Sequence, residues 1–389
     1  MNMIENRFRA GLHGLLARAS DQMLIAILRR RSPHTRLMAL RELGLRELGH
    51  SRVNWGDFLI NPNPGVRRSA AWALGRSGGK LEGDRLLEVA RRERVDMVRF
   101  SQVLGAVSCG VSTEAAWSVL DQAARRTLRG GYGERAMGGF SGFSVENCAD
   151  LWGLGIQTNP GDFFSKRARA REVLGFDPED RAAILRLAMC GDPQDYELLS
   201  GVWAGAGRRM RLVLTAAMGL HGDPRWIPRL VGALKSMDVD PGHGFALRSE
   251  AALALGRIGL LSVAPALCLA LELEALDHEG RPGAGLGIQR PVRRYLLAAL
   301  GELQCSADVL VQYLGNTHGS AEGGFYLPAM DALWKVGDSD RLRKFLDGPE
   351  FVAANALGVL AALEGKDALQ AHTGDTRPMV QAVIDGASD

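Results

Sequence analysis

Apolar residues recur along this chain at i, i+4, i+7 and i+8. Val66, Ala70, Ala73 and Leu74 follow the template, and so do Leu247, Ala251, Ala254 and Leu255. Val292, Leu296, Ala299 and Leu300 repeat it, as do Phe325, Ala329, Ala332 and Leu333, and Met210, Leu214, Ala217 and Met218. A period near 3.6 marks helices with one buried face. Several of these helices carry an Ala-Leu-Gly-like triplet near the end, within Ser69–Gly78, Glu250–Gly259, Tyr295–Leu303 and Met330–Gly337. The triplet is read as a helix end followed by a glycine turn and a second helix. Its alanines imply close helix contacts.

The anchor leucines Leu43, Leu74 and Leu104 stand about one helical hairpin apart. Asp177-Pro178, Asp192-Pro193 and Asp223-Pro224 each set a capping carboxylate before a proline, the chemistry that opens a helical turn. The expected organisation is a pair of N-terminal capping helices over 1–32, repeats over 33–128, and a Gly/aromatic-rich insertion over 129–165. Repeats then resume over 166–389, with a second interruption near 273–289 and a C-terminal cap.

The stretch 63–78 (NPGVRRSAAWALGRSG) resembles the bacterial HEAT-repeat class known as phycobilisome-lyase-type HEAT-like repeats, and 222–234 and 245–271 are similar to it. The resemblance implies an all-α fold, a right-handed α-solenoid of HEAT-like helical hairpins. It is specific for architecture and weak for function, because such repeats serve unrelated roles.

Composition narrows the choice of function. The net charge is only +3. Six lysines among 47 basic residues leave the remainder as arginine. The paired arginines Arg67-Arg68, Arg208-Arg209 and Arg293-Arg294, with Arg248, sit at similar repeat positions. They are read first as a ladder to acidic residues of neighbouring repeats and second as a basic binding stripe. Five cysteines without a C-x-x-C pair point away from a disulfide framework and toward a reducing, cytoplasmic setting. The N-terminal apolar run 23–28 is too short for a secretory leader, and no stretch reaches the length of a membrane span.

Chemistry-bearing motifs do not assemble. Gly79-Lys80 and Gly365-Lys366 lack the following Ser or Thr of a phosphate loop. The eight histidines are scattered without zinc-site spacing, and His221 and His278 are read as turn or loop residues. No catalytic residue, cofactor or metal is assigned. The expected function is a non-catalytic protein-binding scaffold or adaptor, acting through its concave face and insertion loops. Arg129, Tyr132, Phe140, Phe143, Trp152, Arg281, Phe325 and Tyr326 are the candidate partner-binding residues. The partner is expected to be another protein, and the residues select no role among bacterial accessory, immunity and secretion-associated ones. Two alternatives stand beside it. One is nucleic-acid binding, including a DNA-glycosylase-like enzyme, motivated by arginine content and by Trp72, Trp203 and Trp226. The other is a tetrapyrrole lyase or isomerase, implied by the resemblance alone.

Overall fold

The computed structural model describes residues 15–29, 32–46, 53–112, 114–116, 118–120, 160–235, 241–279, 291–315, 326–365 and 367–386. Among these there are helices and turns and no strands. Three outer helices, α1 (Asp21–Leu28), α3 (Trp55–Leu59) and α5 (Lys80–Arg92), back three inner helices, α2 (Pro33–Leu45), α4 (Pro64–Ser77) and α6 (Asp96–Ser108). A second stack follows. Its inner helices are α8 (Arg181–Cys190), α10 (Arg208–His221), α12 (Pro241–Ile258), α14 (Pro291–Glu302), α16 (Tyr326–Val336), α18 (Glu350–Glu364) and α20 (Pro378–Gly386). Its outer helices are α7 (Pro160–Phe176), α9 (Tyr196–Gly205), α11 (Ile227–Leu234), α13 (Ala264–Glu279), α15 (Ala307–Val311), α17 (Ser339–Arg343) and α19 (Asp367–Gln370). Each inner helix packs on the next, so the chain is an all-α solenoid of helical hairpins. Helix α13 runs into the stretch read as the second interruption and takes in His278.

The capping aspartates act as their spacing implies. Asp192 and Asp223 accept from the amides of Gln194 and Arg225 and start short 3-10 turns, and Asp177 accepts from the Glu179 amide. The Ala-Leu-Gly triplet does something other than make a turn. Helix α4 runs two residues past Gly75, and α12 two residues past Gly256. Each triplet glycine lies inside its helix, at the crossing with the next inner helix. A Cβ on Gly256 would lie 2.8 Å from Ala299 Cα, one on Gly301 2.6 Å from Ala332 Cα, and one on Gly219 2.6 Å from Ala254 Cα. The glycine of one repeat is therefore the socket for the alanine of the next. The turns are made by the later glycines Gly191, Gly222, Gly259 and Gly337, all at positive φ.

The two stacks do not form one open array. Helix α4 buries 11 of its 14 residues, far more than the single face its outer neighbour covers. The second cover is the other stack. The inner helices of the first stack lie across the C-terminal ends of α8, α10, α12, α14 and α16 in turn. Gly65 donates its amide to Gly259 O across this seam (3.0 Å), where a side chain on either glycine would strike the other strand of backbone. The inner-helix face expected to be open over 33–128 is thus occupied by the chain itself.

Candidate interaction surfaces

The seam is built on a mismatch that every helix carries. The last carbonyls of a helix have no intrahelical donor and hold partial negative charge. Arginines from the first stack supply the donors. Arg41 of α2 bonds the Gly191 carbonyl at the end of α8 and the His221 carbonyl at the end of α10 (3.2 Å). Arg68 of α4 bonds the Gly219 (2.9 Å) and Leu220 carbonyls of α10 and the Arg257 carbonyl of α12 (2.7 Å). Trp72 donates its indole N–H to Cys190 O at 2.6 Å, and Arg76 pairs with Asp192 at 3.3 Å. Arg67 reaches Gln304, just past α14, at 2.9 Å. At the far end, Lys335 of α16 binds Asp96 of α6 at 3.0 Å, together with Glu302 and Asp331 of its own stack at 2.6 and 3.2 Å.

Burial sets the ionisation of these groups. It lowers the pKa of Arg68 to about 9, with the neighbouring Arg41 and Arg257 charges acting in the same direction. His221 is fully buried, not a turn residue. Its Nε2 lies 2.8 Å from Asp192 O, and its Nδ1 faces the Trp226 indole N–H at 3.4 Å. These contacts suit the neutral ring, with Nε2 donating and Nδ1 accepting. Burial, aided by the Arg41 charge, lowers its pKa to about 3. Cys109 and Cys190 are buried thiols pushed up to about 12 by desolvation. The seam leaves a cavity of about 30 Å³ bordered by Trp72, Phe100, Ser101 and His221. That is room for a water-sized guest, not for a metabolite. Among the described residues no group of His, Cys, Asp and Glu could hold a metal ion.

The repeated arginines divide by role. Arg67 pairs with Glu93 at 2.8 Å and Arg248 with Glu274 at 2.5 Å, each an acid in the adjoining helical unit. Arg68 instead serves the opposite stack, while Arg208 and Arg209 are exposed. Nothing in a sequence tells the two members of the Arg67-Arg68 pair apart. Their helical positions differ by about 100°, so that Arg67 serves both Glu93 along the stack and Gln304 across the seam, while Arg68 serves the helix-end carbonyls of the opposite stack.

The proposed partner-binding residues fall elsewhere. Arg129, Tyr132, Phe140, Phe143, Trp152, Arg281 and Phe325 lie outside the described residues, and of Tyr326 only the backbone is described, at the start of α16. What the structure does give is where their segments join the fold. The connections 236–240, 280–290 and 316–325 each lead from an outer helix to the N-terminal end of an inner helix. The helix ends that they join share the edge opposite the seam. Of the three tryptophans that motivated nucleic-acid binding, Trp226 is fully buried and Trp72 is bonded into the seam. Trp203 remains half-buried on the outer surface, with the Arg211 and Arg229 guanidiniums over its ring at 5.8 and 5.7 Å.

No helix among the described residues is long and apolar enough to cross a membrane. No curated protein gives a significant match to the chain. The family model described as HEAT repeats matches residues 22–105, the span of the first stack from α1 to α6. The glycine-on-alanine packing seen there recurs through α16. Over residues 22–105 the chain is thus similar to HEAT repeats, and its described residues form an all-α solenoid of helical hairpins.

Proposed function

We propose that this protein is a non-catalytic, protein-binding scaffold that holds its partner on the edge opposite the seam. HEAT repeats commonly serve as protein-interaction scaffolds. The observation that carries the reading is that the helix ends joined by residues 236–240, 280–290 and 316–325 share one edge. The seam edge is consumed by bonds within the chain, which leaves the opposite edge free to take insertions. Arg281, Phe325 and Tyr326 belong to these connections or border them, and the segment 129–165, with Arg129, Tyr132, Phe140, Phe143 and Trp152, supplies further aromatic anchors. Longer-than-needed connections that carry aromatic residues are a common site of function in repeat proteins.

Affinity capture with the full chain, with a chain lacking 130–164, and with Phe325→Ala/Tyr326→Ala tests this. Loss of the captured partner with helical circular dichroism retained is the expected result. Equal capture by all three removes this edge as the binding surface.

A further inference from the structure

A second surface lies outside the edge just discussed, on the outer helices α9 and α11 and the start of α10. Residues 196–235 hold Arg208, Arg209, Arg211, Arg225, Arg229 and Lys235 against only two acids, Glu197 and Asp223. Asp223 is buried and taken by Arg225 at 2.9 Å. Arg209 and Arg211 are exposed, and their guanidiniums make no hydrogen bond or ion pair among the described residues. Arg211 rests over Trp203, as does Arg229, whose one hydrogen bond among the described residues goes to Ser200 Oγ at 3.1 Å. A guanidinium held over an indole keeps its in-plane N–H groups aimed outward; those of Arg211 are unspent among the described residues, and Arg229 gives one to Ser200.

The relief of this surface is unusual too. Glycines inside helices cost about 1 kcal/mol relative to alanine. The glycines at the inner-helix crossings are required there by contact, whereas a Cβ on Gly201 of α9 or Gly232 of α11 would meet nothing within 4 Å. The fold does not need them bare. Gly232 lies one turn from Arg229 on the same face of α11, and its missing side chain leaves that face open to an approaching backbone.

We infer that the Trp203–Arg211–Arg229 surface, with Arg209 exposed on the same first turn of α10, is a docking site for an acidic, extended protein segment whose carboxylates take the guanidinium forks. The inference rests on the scaffold reading above but uses a different face. Charge complementarity names the occupant, and the geometry favours carboxylate over nucleic acid. Single-stranded nucleic acid binds through open aromatic faces, and Trp203 is already stacked with two guanidiniums. The patch is also small and almost free of lysine, unlike a groove that tracks a phosphate backbone.

The test uses the full chain and fluorescence anisotropy at about 50 mM salt. The probes are a labelled Glu-Ala repeat peptide of about ten residues, its Lys-Ala counterpart, and a polythymidine strand of equal length. The expected result is binding of the glutamate peptide in preference to both others. Arg209→Glu/Arg211→Glu should weaken it by about tenfold or more, the loss of one to two charge-assisted bonds. Gly232→Gln, which fills open space without touching the core, should weaken it as well. Arg91→Glu/Arg92→Glu on α5, the same charge change on another exposed surface, should leave it unchanged. Failure of the glutamate peptide to bind, or equal losses in both charge-reversal pairs, overturns the inference. Tighter binding of polythymidine that is lost with the same patch variants also overturns it and assigns the surface to nucleic acid. None of these outcomes bears on capture through 130–164, so the two readings fail separately.

Discussion

At the scale of single residues, two histidine contacts and two classes of glycine make measurable claims. His221 is neutral in the folded protein, with its pKa lowered to about 3 by burial, while in the unfolded chain it returns to about 6.5. The unfolded state therefore binds the extra proton. The stability that depends on the neutral ring is complete above about pH 6.5 and is lost progressively as pH falls toward 3. Between pH 7.5 and pH 5 this amounts to about 2 kcal/mol. Urea midpoints at the two pH values should show it, and His221→Gln should flatten the difference; an unchanged slope in that variant would assign the effect to other groups. Glycine gives a paired comparison. Gly256→Ala drives a methyl to 2.8 Å from Ala299 Cα and should cost about 1–3 kcal/mol through forced helix separation. Gly201→Ala enters open space and should stabilise by about 0.5–1 kcal/mol. Thermal or urea unfolding of the two variants should move in opposite directions.

At the scale of helices, the periodicity of Val66, Ala70, Ala73 and Leu74 identifies a buried face, and that face is buried as the spacing implies. Period alone does not distinguish a glycine that ends a helix from one that seats a neighbour. Gly75 and Gly256 read as helix ends ahead of the turns at Gly78 and Gly259, yet they lie inside their helices at crossing points. The difference lies in which residue of the next repeat faces them, and that is a long-range fact. The same limit explains Trp72 and Arg68. Both sit on the side of α4 away from its outer helix, where an amphipathic pattern leads one to expect solvent or a partner. Their polar character is spent on the carbonyl ends of α8, α10 and α12. The outer-surface patch was partly legible, since Trp203 and the Arg208-Arg209 pair stand out in the sequence. Arg211 and Arg229 do not, because stacking on Trp203 requires two further helical units to be placed.

At the scale of the whole molecule, the seam turns two stacks into one body. Its contacts join residues that are 116 to 239 positions apart, and they are mostly hydrogen bonds to fixed helix ends. Such an interface does not depend on covalent connection through residues 121–159. A chain carrying an engineered protease site near residue 140 should, once cut, elute from gel filtration as a single species with unchanged helical content. Separation of the two fragments would show that the seam is held by the connection and not by its own contacts.

The distance spanned by that seam also has a meaning in time. Asp96 waits for Lys335, which lies 239 residues later, and ribosomes add about 5–20 residues per second. Roughly 12–50 s therefore pass between the emergence of the first partner and the second. In the earlier part of that interval, until residues 190–257 have emerged, Arg41, Arg68 and Trp72 stand on a nascent half-molecule with their acceptors not yet made. The first stack is born with an unfilled face, and the cell meets it in that condition every time the protein is synthesised.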